Sequence, residues 1–73
     1  MQKAYKTEIK QFGKKVKKFR LAKKLTQTAL AGLCDVDIRT IIRLEKGEFG
    51  IGLHTLFALA DALEVEASDL LKN

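Results

Sequence analysis

Between Thr26 and Gly47 the chain carries two short apolar stripes at helical spacing, with only Asp35, Val36 and Asp37 to connect them. Leu30 and Cys34 mark the first stripe, Ile41 and Leu44 the second. Isolated helices shorter than about 12–15 residues are marginal in water, so both segments must be held by what they pack against. Thr26 and Asp37 are residue types that cap helix N-termini, which predicts helices over about residues 27–34 and 38–46. The first capping box is incomplete, because Ala29 stands where a glutamate would reach back. Gly47 suits the left-handed position that ends a helix. Two helices joined this tightly must cross steeply, with Val36 filling the angle and Ala31 small enough for a close approach.

The rest of the chain supplies what they pack on. Thr7 reads as the N-cap of a first helix over about residues 8–23, with Ile9, Phe12, Val16 and Phe19 on one stripe. Lys10, Lys14, Lys17 and Lys18 fall opposite that stripe, whereas Arg20 lies at its edge, one turn on from Val16. A charge placed there needs a partner. The loop EFGIG leads to a helix over about residues 53–63, with Leu53, Leu56, Phe57, Ala60 and Leu63 as its core face. Val65 follows, and EASDLL makes a short last helix whose Leu70 and Leu71 close the core. The expectation is an all-α, compact five-helix bundle: a basic arm over residues 1–7, then a single domain over 8–73.

Charge is distributed unevenly. Residues 1–24 hold ten of the fourteen Lys and Arg beside a single acid, Glu8, while residues 25–73 are acidic on balance. A basic third on a chain of net charge +5 fits a polyanionic partner; the plainer reading is a solvated helix face. The single cysteine, Cys34, permits no internal disulfide and fits a reducing compartment. No apolar run approaches transmembrane length, so a soluble, cytoplasmic protein with no membrane partner is expected.

Two helices at this spacing are expected of a helix-turn-helix, whose second helix is held outward to enter a DNA major groove, although any tight helical hairpin shows part of the same spacing. Over about residues 12–71 the chain resembles the Cro/repressor (XRE-type) helix-turn-helix family. The pieces that carry the resemblance are FGKKVKKFRLAKKLTQ, LAGLCDVDIRTIIRLEKGE and LHTLFALADALEV, in order and at family spacing. Asp35 replaces a glycine common in the turn, and Ile51 stands where proline is frequent, which predicts a looser loop before the fourth helix. Leu33 and Ile42 occupy positions usually polar, which points to an apolar contact with another chain.

The resemblance implies a small repressor-type transcription regulator that binds double-stranded DNA as a homodimer, without a cofactor. It places base-reading positions at Ile38, Arg39, Thr40 and Arg43. Arg39 and Arg43 stand one turn apart on the side away from Ile41 and Leu44, and an arginine there can fork onto guanine N7 and O6. Ile38 is placed to touch a thymine methyl. Gln27, first in its helix, has an amide that suits a phosphate beside the free N–H groups of that helix end, with Thr28 assisting. The resemblance adds Lys46 as a backbone contact, and pairs Arg20 with Glu45 as a buried structural ion pair. The dimer surface is expected around the fourth and last helices, with Phe57 or Leu59 exposed.

Other residues read as structural. Cys34 lies on the core side of its helix, His54 on the surface, and Asp61, Glu64, Glu66 and Asp69 form an acidic, solvated end. No glycine-rich phosphate loop, metal spacing or triad pattern supports an enzyme. Two further readings stay open: an antitoxin-like module that binds a partner protein, and the DNA-binding domain of a longer regulator.

Overall fold

The computed structural model describes residues 5–72, and among these there are five helices and no strand. They are α1 (Lys6–Ala22), α2 (Gln27–Cys34), α3 (Ile38–Glu45), α4 (Leu53–Leu63) and α5 (Ala67–Leu71). The expected basic arm lies outside the described residues as far as Ala4, while Lys6 and Thr7 belong to α1. Thr7 is therefore not a cap. The Tyr5 carbonyl accepts the Ile9 N–H at 3.0 Å, so the helix starts earlier and without a side-chain cap.

The short helices are closed by the residues that local chemistry predicts. Thr26 Oγ1 accepts the Ala29 N–H at 3.0 Å, and Asp37 Oδ1 accepts the Arg39 N–H at 2.8 Å. Asp35 sits in the left-handed region at φ 56°, where an aspartate is tolerated better than most residues. Gly47 lies at φ 73° and returns its N–H to the Leu44 carbonyl at 3.0 Å. A Cβ on Gly47 would also stand 2.6 Å from Lys10 Cγ and 2.9 Å from Lys10 Cα, so glycine is required there twice over.

One core joins all five helices: Val16 from α1, Leu30, Ala31 and Cys34 from α2, Ile41 and Leu44 from α3, Leu56, Leu59, Ala60 and Leu63 from α4, and Leu70 from α5. The expected core face of α4 is corrected by this list. Leu53 and Phe57 are exposed, and Leu59 is buried, because the apolar stripe that meets α2 runs through 56, 59, 60 and 63. Leu59 therefore cannot serve a dimer surface, whereas Phe57 remains available. Leu71 is likewise exposed rather than core. Burial pushes the Cys34 thiol above its ordinary pKa, as expected for a packed, unreactive cysteine.

The acidic end is more organised than a solvated face. Glu64 pairs with Lys23, whose ammonium holds that carboxyl below the usual range. Asp69 Oδ2 accepts the Glu66 N–H at 2.9 Å, fixing the start of α5. Among the described residues, no helix is long and apolar enough to cross a membrane.

Candidate nucleic-acid interface

Helix α3 has two chemically opposite faces. Ile41 and Leu44 are buried, while the Arg39 and Arg43 side chains on the other side are 82% and 59% exposed. At the N-terminus Asp37 is engaged mainly by the Arg39 backbone N–H and then by the Arg39 guanidinium, at 3.5 Å. Both hold its carboxyl below the ordinary aspartate range. The cap thus stays ionised at neutral pH, the charge state that the helix dipole favours at this end. Arg43 is more constrained than Arg39: its Nε donates to Glu48 Oε1 at 3.3 Å, and its guanidinium carbon lies 5.0 Å from the centroid of the Phe49 ring. Ile38 and Lys46 are exposed beside this face and Thr40 is half-buried. Of the two positions expected to meet another chain, Leu33 is exposed and Ile42 is half-buried.

The anchor of α3 is the pair that the arginine at the edge of the stripe called for. Arg20 donates from Nε to Glu45 Oε2 at 2.7 Å and from Nη2 to Glu45 Oε1 at 3.1 Å, a bidentate fork. Its Nη1 donates to the Leu25 carbonyl at 2.8 Å. Gln27 joins them: its Nε2 donates to Glu45 Oε1 at 3.1 Å. The amide expected to face a phosphate therefore spends one N–H inside the protein, which couples the start of α2 to the end of α3. Thr28, beside it, is exposed in the first turn of α2.

Gly13 was missed by periodicity. It lies in the middle of α1 with its backbone against the end of α3, where a Cβ would stand 2.2 Å from the Leu44 carbonyl oxygen. A glycine inside a helical pattern costs about 1 kcal/mol relative to alanine, and that cost was the signal of a close backbone approach. Glu48 and Phe49 carried no such signal. They reach Arg43 only because the left-handed Gly47 turns the chain back, bringing the Glu48 N–H to the Arg43 carbonyl at 3.0 Å.

A tightly joined, packed helix pair whose second member is anchored from behind and offers two arginines in front defines a helix-turn-helix protein. Residues 16–70 match the family HTH_3, helix-turn-helix, and the chain belongs to it. Its class is that of DNA-binding transcription regulators. The restriction-modification controller protein C.AhdI from Aeromonas hydrophila has the same fold at TM-score 0.85 and 31% identity, over 88% of this chain and 97% of that one. The hypothetical transcription factor NHTF from Neisseria matches at TM-score 0.84 and 25% identity, over 99% of this chain and 84% of its own. An HTH_3 family transcriptional regulator from Vibrio cholerae matches at TM-score 0.81 and 26% identity, over 88% of this chain but 36% of that one. No curated protein sequence matches the chain.

Proposed function

We propose that this regulator binds a specific double-stranded DNA site as a homodimer, with α3 in the major groove, and acts as a repressor by occluding the promoter it covers. The observation that carries the reading is the exposure of Arg39 and Arg43 on the one face of α3 that the core leaves free. Ile38, Thr40 and these arginines would face base edges. Thr28, the remaining Gln27 N–H, the α2 N-terminus and Lys46 would meet phosphates. One recognition helix spans too few base pairs for selectivity, which is why such proteins pair across a two-fold axis. Exposed Leu53 and Phe57, one turn apart on α4, and Leu71 on α5 supply apolar surface that a second copy would cover.

Binding-site selection from random duplexes tests the proposal. The expected site is a near-palindrome with half-sites about 34 Å apart, one helical turn. Each half-site contains a guanine whose preference relaxes in Arg39→Ala or Arg43→Ala, at a cost of about 1–3 kcal/mol for a bidentate contact. A site without two-fold symmetry, or one unaffected by both substitutions, would refute the reading. Phe57→Glu should turn the dimer into a monomer in sedimentation equilibrium and weaken operator binding with it. An unchanged mass and affinity would place the dimer surface elsewhere.

A further inference from the structure

Arg43 and Arg39 are both expected base readers, but the protein treats them differently. Arg39 extends into solvent, with a single long contact of 3.5 Å to Asp37. Arg43 is fixed on two sides. Glu48 Oε1 accepts its Nε–H at 3.3 Å, and the Phe49 ring lies 5.0 Å from the guanidinium carbon. The bond to Glu48 is made at Nε and leaves the in-plane N–H groups of Nη1 and Nη2 without a protein acceptor among the described residues. A guanidinium offers one donor at Nε and four at Nη1 and Nη2, in a planar fork. Tying down Nε sets the roll of that plane, and the ring sets the side it rests on. The Nη edge is left free to meet two acceptors at once, the demand that guanine O6 and N7 make together.

The two contacts share one origin in the backbone. Gly47 at φ 73° reverses the chain after α3, and the Glu48 N–H then closes on the Arg43 carbonyl at 3.0 Å. Glu48, whose N–H caps that carbonyl, and Phe49 after it are thereby delivered beside Arg43. A carboxylate near a phosphate-facing surface opposes DNA binding through long-range charge. Its presence there is accounted for if it sharpens selectivity at the expense of general affinity.

We propose that Glu48 and Phe49 are positioning residues that hold the Arg43 guanidinium with its Nη edge free to read one guanine, making Arg43 the stringent reader and Arg39 the adaptable one. This rests on the proposed groove reading by α3, and the test separates the two. Affinities of the wild type, Glu48→Ala, Glu48→Gln and Phe49→Leu are measured on the selected site, on the site with the Arg43-dependent guanine replaced, and on a scrambled duplex. Glu48→Ala should lower discrimination at that guanine by about three- to tenfold, the range of one net hydrogen bond. Its affinity for scrambled duplex should rise, most clearly at low salt. Glu48→Gln keeps an acceptor oxygen and should recover most of the discrimination, whereas Phe49→Leu should lose part of it. Discrimination at guanines dependent on Arg39 should not move. Because the Glu48 capping contact is made by its backbone N–H, Glu48→Ala should leave the melting temperature close to wild type.

If an Arg43-dependent guanine exists and Glu48→Ala leaves its discrimination unchanged or raises it, the positioning role is overturned while the groove reading stands. Equal loss of affinity on all three duplexes also overturns it. Absence of any guanine that depends on Arg43 overturns both.

Discussion

Glu45→Ala should cost about 3–5 kcal/mol of unfolding free energy, the range for stranding one member of a buried ion pair. The Glu45 and Arg20 side chains are 4% and 8% exposed, so neither can turn to water when its partner is lost. Three donors converge on the Glu45 carboxylate: Arg20 Nε and Nη2, and Gln27 Nε2. Removing it leaves a buried guanidinium with only the Leu25 carbonyl and a half-buried amide without its acceptor. At about 0.05–0.15 kcal/mol per residue a chain of 73 residues is stable by roughly 4–11 kcal/mol, so the variant should be marginal at room temperature. Its melting temperature should fall by more than about 10 °C. Asp61→Ala, an exposed change on α4, is the control and should move it little. Equal, small effects of Glu45→Ala and Asp61→Ala would show that the pair carries no net weight.

The same substitution should have opposite signs at two glycines. Gly32→Ala places a methyl in open space on α2 and gains helix propensity, a stabilisation of up to about 1 kcal/mol. Gly13→Ala makes the same local gain and loses far more. Its Cβ would stand 2.2 Å from the Leu44 carbonyl oxygen and 3.0 Å from that of Glu45. Both obstacles are backbone atoms at the end of α3, so no side chain can yield to relieve them. Overpacking of this kind costs about 1–3 kcal/mol or more, and here α1 must separate from α3 to accommodate it. That separation also pulls Arg20 away from Glu45. Gly13→Ala should therefore lower the melting temperature and weaken operator binding even where the protein stays folded. Thermal unfolding of the two variants side by side decides it; stabilisation in both would mean the helices are not in backbone contact at Gly13.

Much of the fold follows from local chemistry that a linear sequence displays. Helix spacing, the Thr26 and Asp37 caps, and the left-handed Asp35 and Gly47 depend on residues within about one turn of each other. So does the division of α3 into a buried Ile41–Leu44 face and an exposed Arg39–Arg43 face. The Arg20–Glu45 pair spans 25 residues, yet it was legible because a charge at the edge of an apolar stripe demands a partner, and the family resemblance supplied one. What the sequence did not determine are features set by how one helix meets another. The rotation of α4 buries Leu59 and exposes Leu53 and Phe57, although both stripes read as apolar in the chain. The approach of α1 to α3 makes Gly13 obligatory, and the crossing of α2 over α3 draws the Gln27 amide to Glu45. The reversal at Gly47 lays Glu48 and Phe49 against Arg43. Periodicity states which face of a helix is apolar, but the angle and distance at which two faces meet are properties of the packed whole, and these decided which side chains came to touch.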